Sequence, residues 1–220
     1  GSRGLGDVYK RQVTKDGKDG FLMIGYDDIY SIEYMYEKRM GYWKHDGKVT
    51  IFEAFEKLRD NYQSIMERCR ALDELIYNDA EKAGGKKYAE ICSAAYRQVI
   101  SAHKLFTDKE GNLMWFSKEN NSNGCINTVD LTYPSAPLFL VYNPDLQKAM
   151  MTSIFEYSAS GRWDKPFAAH DLGTYPIANG QVYGGDMPIE ESGNMVILTA
   201  AISKIEGNAD YAKKYWDILT

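Results

Sequence analysis

One glycine-rich segment, residues 170–194, is unusually dense in groups that could do acid/base chemistry, and it reads HDLGTYPIANGQVYGGDMPIEESGN. His170 next to Asp171 could be an oriented base, or a loop histidine held by the backbone. Because the segment is rich in glycine and polar residues, we expect it to form a loop outside the core. Its carboxylates could act on an amide or a glycosidic bond. The candidate catalytic residues are Asp171, Asp186, Glu190 and Glu191.

The same carboxylates also have a purely structural interpretation. Pro188 is typical of the first position of a helix, so the acidic residues around it lie where the helix dipole and free N–H groups favour negative charge. Asp186 could be a simple cap. Consecutive residues point about 100° apart around a helix, so only one of Glu190 and Glu191 can cap while the other faces elsewhere. The sequence leaves both interpretations open.

Two further loops, residues 21–49 and 107–130, offer groups that could bind a small zwitterion or a sugar. Their aromatic rings could stack on a ligand, and their charged and amide groups could hydrogen-bond to it. Each loop could equally be a solvated or packing segment. With the histidine and a tyrosine of the glycine-rich segment, the predicted substrate-binding residues are Tyr26, Asp28, Trp115, Lys118, Asn123, Asp130, His170 and Tyr175.

The sequence gives little support for metal, cofactor or covalent chemistry. It contains no HExxH motif or comparable ligand spacing, and no observation favours calcium on the loop carboxylates, so we predict neither a metal nor a cofactor. Cys125 offers a thiol nucleophile in principle, but no partner histidine is identifiable, and no G-x-S-x-G elbow is present. Cys69 and Cys92 fall on apolar faces of helical runs and are predicted to be buried thiols.

Composition excludes several classes of function. The 220 residues are 44% hydrophobic and 26% charged, as in an ordinary globular protein large enough to bury a core. A net charge of -5 argues against a sequence-independent nucleic-acid binder, and no apolar run approaches a membrane span. The 17 tyrosines suit a cleft for polar organic ligands. We therefore expect a small-molecule substrate as the partner.

The first helix pair is predicted from capping signals and apolar spacing. Thr50 and Glu53 form a capping box, and an apolar stripe then continues to Ile76 as one helix that ends at residues 83–85. A second helix is predicted directly after it, and the apolar face of this helix is predicted to extend to His103.

Two more helix pairs follow. A short helix is predicted at about residues 133–142 with Pro134 at its first position, and the next begins at Asn143 and Pro144. Pro188 then opens a helix that ends at Gly207, and Asn208 caps the last one.

Each predicted helix pair is preceded by a long loop. The loops are residues 21–49, 107–130 and 162–187, and all three should emerge at the same end of the assembly. The fold class is therefore mainly α, with three antiparallel αα-hairpins in a bundle, a solenoid or, as we favour, a toroid. A short β-hairpin is expected within residues 21–43.

Both ends of the chain look incomplete. Residues 1–12, GSRGLGDVYKRQ, follow neither helical nor strand periodicity and read as a non-native tag or adaptor-derived segment. The last residues stop inside an amphipathic run without a glycine or proline. We expect residues 13–220 to be a single helical domain that is a truncated part of a larger toroid. Half a toroid would expose apolar helix faces, so self-association is expected.

Four long motifs stand out in the chain: GYDDIYSIEYM (25–35), AAYRQVISAHKL (94–105), FSKENNSNGCINTVDLTYPSAPLFLVYNPDL (116–146) and YGGDMPIEESGNMVIL (183–198). Through these motifs the chain resembles the large microbial glutaminase A family. That resemblance implies a β-rich region followed by an (α/α)6 toroid, of which this chain would hold the first three hairpins. It also implies hydrolysis of L-glutamine to L-glutamate and ammonia, by a secreted or periplasmic protein.

Two other functions remain open from the sequence. Aromatic and carboxylate richness also suits a glycoside hydrolase or a carbohydrate-binding toroid, and the separation of the carboxylates would help to discriminate. The isolated chain could also be an inactive structural module, because half of the cleft wall would be missing.

Overall fold

The computed structural model describes residues 17, 20–119 and 121–220, and this part of the chain is mainly helical. The predicted non-native segment, residues 1–12, lies outside it. No helix in the described part is long and apolar enough to cross a membrane. In chain order the elements are β1 (Ile32–Tyr34), β2 (Glu37–Arg39), a 3-10 turn (Tyr42–Lys44), α1 (Ile51–Asp60), α2 (Tyr62–Gly84), α3 (Lys86–Ser101), β3 (His103–Thr107), β4 (Leu113–Ser117), α4 (Val129–Tyr142), α5 (Pro144–Ala159), β5 (Ile177–Ala178), α6 (Pro188–Glu206), α7 (Asp210–Lys214) and α8 (Trp216–Leu219).

The predicted capping box is confirmed, but the helix that it opens is broken once. The Thr50 hydroxyl accepts the Glu53 N–H at 3.3 Å, and the Glu53 carboxylate accepts the Thr50 N–H at 2.7 Å. The prediction of one continuous helix is wrong, because α1 ends at Asp60 and α2 begins at Tyr62. The side-chain amide of Asn61 donates to the Lys57 carbonyl at 2.8 Å, which is the local competition by which asparagine ends helices.

The segment after α3 was predicted as helix and loop but forms a β-hairpin. His103 begins β3 instead of extending the helix, and β3 pairs antiparallel with β4. The turn is held by Asp108, whose Oδ1 accepts the Asn112 N–H at 2.7 Å, and by Gly111, whose φ of +86° favours glycine. The signal was present in the sequence, because β-favouring apolar residues flank a DKEGN turn.

The helix boundaries around α4 and α5 are partly as predicted. α4 begins at Val129, so Pro134 lies inside the helix and not at its first position, and this prediction is wrong. Proline lacks an N–H, so it leaves the Asp130 carbonyl without its helical partner. The prediction for α5 is confirmed, with Pro144 in the first turn and the Asn143 Oδ1 accepting the Leu146 N–H at 3.3 Å.

The last helices follow their predicted start and stop signals in part. α6 begins at Pro188 and ends before Gly207, whose φ of +68° is the left-handed conformation expected there. The prediction that Asn208 caps the final helix is wrong, because the N-cap of α7 is Ala209; the Asn208 Oδ1 accepts the Asp210 N–H at 2.9 Å in a turn just before the helix. That helix is also interrupted at Tyr215 into α7 and α8.

α5 lies at the centre of the fold and packs against α4, α6 and β4, while α2 packs against α3 and α6 against α7. By contrast α1 contributes no buried residue, and α2 buries only Ile76 and Ala80. The thiol of Cys69 is therefore exposed, and its predicted burial is wrong, while Cys92 is half-buried. The largest fully buried side chains include Phe106, Phe116, Phe139, Ile126, Met150, Met151, Ile154 and Leu172.

The three long loops meet, as predicted, and backbone pairing joins them. β1 pairs antiparallel with β2, which confirms the expected hairpin in the first loop, and parallel with β5 of the third loop. The second loop joins the third where the Ile126 N–H donates to the Gly173 carbonyl at 2.8 Å and the Leu172 N–H donates to the Ile126 carbonyl at 3.0 Å. The loops thus form one framework around the start of residues 170–194.

Candidate active site

Three side chains from different elements converge in what we call the carboxylate–histidine cluster: Asp130, His170 and Glu191. Asp130 lies in the first turn of α4, Glu191 in the first turn of α6, and His170 in the loop between them. One polar atom of each lies within 4.8 Å of the others. Asp130 is the member that reaches solvent, with 32% of its side chain exposed, while His170 and Glu191 are buried.

The packing of α4 against α6 brings the starts of both helices to this place. His170 is tied to the same point through its backbone, because its carbonyl accepts the Val129 N–H at 2.9 Å. Its own N–H donates to the Gln181 Oε1 at 2.8 Å. Two helix starts and one anchored loop therefore fix the cluster.

Asp171 orients the imidazole of His170. The Nδ1 of His170 lies 2.9 Å from the Asp171 Oδ2, and the ring stacks on Tyr183 with centroids 4.2 Å apart. A carboxylate can only accept, so Nδ1 carries the proton and Nε2 is left bare. Nε2 lies 3.9 Å from the Asp130 Oδ1.

Asp171 was predicted to be catalytic, but its environment is that of a positioning residue. Its carboxylate is completely buried and also accepts the backbone N–H groups of Gly173, Val182 and Tyr183 at 2.8, 3.0 and 3.2 Å. With four donors on two oxygens, it has little capacity left for a substrate. The prediction that this segment lies outside the core is wrong at residues 170–173, at Ala178 and at Glu191, which are buried.

Glu191 is a completely buried carboxyl group that is left without a partner. Within the described residues, neither of its oxygens accepts a hydrogen bond of normal geometry, although the Asn194 side chain lies near enough to oppose the rise of its pKa. The Oδ1 of Asp130 lacks a hydrogen-bond donor as well. Burial, together with the negative charge of Asp130, raises the pKa of Glu191 to about 8. A buried polar atom with no partner is costly, and such atoms are found where function requires them.

Opposing effects act on the pKa of His170. Burial lowers it, while the hydrogen bond to Asp171 and the charge of Asp130 raise it, and the net shift of the pKa is upward. The imidazole can therefore take up a proton beside two carboxyl groups, which is what a general base requires.

The other predicted acidic residues lie outside the cluster. Asp186 forms an ion pair with Lys165 and accepts from Gln181 at 3.3 Å, and the Lys165 contact lowers its pKa. Glu190 is exposed on the first turn of α6, whereas Glu191 is buried. The sequence argument that adjacent glutamates face different ways is confirmed.

Two of the predicted binding residues are neighbours, and a third shapes its own loop. The Lys118 ammonium lies 5.2 Å from the centroid of the Tyr175 ring, on the loop framework. Tyr175 also donates from its hydroxyl to the Ser31 carbonyl at 3.4 Å. Asn123 is exposed, and its Oδ1 accepts the Cys125 N–H at 2.8 Å in a local turn.

Trp115 is not a surface platform for a substrate, so that prediction is wrong. Only 6% of it is exposed, because its ring stacks on His103 at 4.9 Å and contacts Phe139. Asp28 is bound to the Lys104 ammonium at 2.9 Å, and Tyr26 is 88% exposed. The β-hairpin that the sequence analysis missed is what turns Trp115 inward.

Cys125 has the histidine neighbour that sequence spacing could not identify. Polar atoms of Cys125, His170 and Asp171 lie within 4.8 Å of one another, because Cys125 pairs with Thr174 between the second and third loops. Burial, together with the charge of the Asp171 carboxylate, raises the pKa of the thiol to about 12. The thiol stays protonated and is a poor nucleophile.

Comparison with known proteins identifies the family. Residues 85–220 match the Glutaminase A six helical-hairpin domain, and residues 5–79 match a domain of unknown function (DUF5127). The chain is 38% identical over 173 residues to Glutaminase A of Aspergillus oryzae, and 35% identical over 160 residues to a probable glutaminase of Arthroderma benhamiae.

These alignments cover 77% and 70% of the chain, but only 25% and 18% of the two relatives, so the chain spans a quarter or less of their length. No solved structure matches. Because the six-hairpin domain covers more than half of the chain, the chain belongs to the glutaminase A six helical-hairpin family.

Proposed function

We propose that the intact protein is a hydrolase that releases ammonia from the side-chain amide of L-glutamine at the carboxylate–histidine cluster. The observation that carries the proposal is the completely buried, unpartnered carboxyl group of Glu191 facing an imidazole that Asp171 orients. The names of the two fungal relatives support the choice of an amide over a glycosidic bond.

The proposed reaction uses the two buried groups as base and acid. His170 Nε2 accepts a proton from a water molecule as its oxygen attacks the carboxamide carbon. The C–N bond then breaks, and the leaving nitrogen takes the proton of the Glu191 carboxylic acid, so that ammonia and glutamate are released. The imidazolium returns its proton to Glu191, and the charge of Asp130 stabilises the imidazolium meanwhile, 3.9 Å away.

The same proposal covers the architecture of the intact protein. The contacts of α2 with α3, α4 with α5 and α6 with α7 support three antiparallel hairpins, which we propose form the first half of an (α/α)6 toroid. The second half would then form a substrate cleft over the exposed part of Asp130. Lys118 and Tyr175, which lie together, would bind the charged end of the substrate.

The test is an assay of ammonia release by the intact protein, with L-glutamine, L-asparagine and a panel of glycosides as substrates. We expect glutamine to be hydrolysed and the glycosides to be left intact. Cleavage of a glycoside without ammonia release from glutamine would reject the proposal and favour a glycosidase.

A further inference from the structure

We propose that Asp130, His170 and Glu191 also form a binding site for a divalent transition metal ion of the zinc class, and that the ion inhibits the enzyme. The inhibitory part rests on the proposed function, because it uses the same three side chains. The binding part rests only on the geometry of the cluster.

The donor set consists of ligand types that zinc accepts. Zinc is bound by histidine nitrogen and by carboxylate oxygen at about 2.0–2.2 Å, and sites with three protein ligands keep an open fourth position. Tetrahedral geometry at that bond length places ligand atoms about 3.4 Å apart. The Nε2 of His170 and the Oδ1 of Asp130 are 3.9 Å apart, and all three donors lie within 4.8 Å, so small side-chain shifts suffice.

The atoms that would bind the ion are the ones left without partners. Both oxygens of Glu191 and the Oδ1 of Asp130 lack hydrogen bonds within the described residues, and Glu191 is completely buried. No lysine or arginine of the described part forms an ion pair with either carboxylate. A divalent cation would satisfy these lone pairs.

The surroundings of His170 are also those of a metal ligand. Metal-binding histidines usually donate their second ring N–H to a carboxylate, which fixes the ring and raises its basicity. Here the Nδ1–H of His170 donates to Asp171, whose other contacts are buried backbone N–H groups. Calcium and magnesium prefer sets of six or more oxygens, counting water, so a set containing nitrogen selects against them.

Binding and the proposed chemistry exclude each other. An ion on the Nε2 of His170 removes the lone pair of the general base, and an ion on the carboxylate of Glu191 displaces the proton of the general acid. Zinc is therefore expected to inhibit ammonia release in proportion to its occupancy of the site.

The test is calorimetric titration of the chelator-treated protein with Zn²⁺, repeated with Ca²⁺ and Mg²⁺, together with the visible spectrum of the Co²⁺-loaded protein. We expect one Zn²⁺ per chain, a tetrahedral Co²⁺ spectrum and no binding of Ca²⁺ or Mg²⁺. Glu191→Gln and Asp130→Asn should each weaken Zn²⁺ binding by about 100-fold, which is the upper range for losing even an outer-shell partner. The matched control, Glu190→Gln, should bind like the parent.

Several outcomes would overturn the site: no Zn²⁺ binding by a protein with native circular dichroism, equal binding of Zn²⁺ and Ca²⁺, or binding that survives in both ligand variants. Ammonia release, measured with and without Zn²⁺ on the intact protein, separates the two proposals. Binding without any glutaminase activity would reject the function and keep the site. Activity that Zn²⁺ leaves unchanged at saturating occupancy would reject the inhibitory role.

Discussion

Acidification should destabilise the protein through His103, the residue that stacks on Trp115. The imidazole lies between Trp115 and Phe139, and its Nδ1 is 2.6 Å from the Val99 carbonyl, so the neutral ring donates there. Burial lowers the pKa of His103 to about 4, although the Val99 hydrogen bond opposes this shift. Among the described residues the buried Nε2 atom has no hydrogen-bond partner, so an N–H formed there by protonation would have no acceptor.

The size of the effect follows from proton linkage. Between pH 6.5 and pH 4 the unfolded state, with an ordinary histidine pKa of about 6.5, binds more protons than the folded state, so stability falls as pH falls. Relative to high pH, where the imidazole is neutral in both states, the free energy of unfolding is lower by about 0.2 kcal/mol at pH 7 and by about 2 kcal/mol at pH 5. The difference assigned to His103 is thus about 2 kcal/mol, a large share of the stability of a typical domain.

The assay is urea unfolding at pH 7 and pH 5 for the parent and for His103→Gln, whose amide does not titrate in this range. The variant will start from lower stability because the stack is altered, so the quantity to compare is the change between the two pH values. We expect the parent to lose about 2 kcal/mol more than the variant. His45→Asn is the control for removal of an exposed imidazole. Equal losses in the parent and His103→Gln would refute the reasoning.

Three further predictions test other parts of the structure. Asp171→Asn places an amide where a carboxylate accepts several N–H groups, so the free energy of unfolding in urea should fall by about 1–3 kcal/mol. The variant should also lower kcat more than it raises KM, and an unchanged kcat would contradict the positioning role. Gly173→Ala should destabilise by about 3 kcal/mol, because φ is +136° and the added Cβ would lie 2.2 Å from the Ile177 carbonyl oxygen; wild-type unfolding would refute this. Phe52 and Ile91 are 74% and 67% exposed, so the chain should self-associate through these apolar side chains. Replacing both by serine should reduce the molecular mass measured by light scattering. A parent protein that stays monomeric at high concentration would contradict the prediction of self-association.

Helix ends could be predicted from the sequence because they depend on local chemistry. The Thr50–Glu53 box, the Asn143–Pro144 start and the Gly207 stop each act within a few residues, and all three are confirmed. Pro134 misled the prediction, because proline is favoured at a first helical position yet is tolerated within the packed helix α4. The hairpin of β3 and β4 was missed because the helical spacing of the preceding residues was extended through His103.

The residue types of the candidate site could be predicted from the sequence, but the side chains that come together in it could not. Glu191, His170 and Asp130 were all among the candidates, but their sequence neighbours Glu190 and Asp171 could not be separated from them by residue type. Which carboxylates join the carboxylate–histidine cluster depends on the packing of α4 against α6 and on the backbone donors around Asp171. These are contacts between distant segments, and a single sequence does not display them.

The most direct test of the central claim is the rate of ammonia release from L-glutamine by the intact protein carrying Glu191→Gln, beside Glu190→Gln. The two changes replace the same carboxyl group by an amide in adjacent residues of one helix, but only Glu191 is buried in the carboxylate–histidine cluster. If Glu191 supplies the proton to the leaving nitrogen, its variant should lose about 100-fold or more in kcat, whereas the Glu190 variant should retain the parental rate. Equal rates for the two variants would contradict the assignment of the active site.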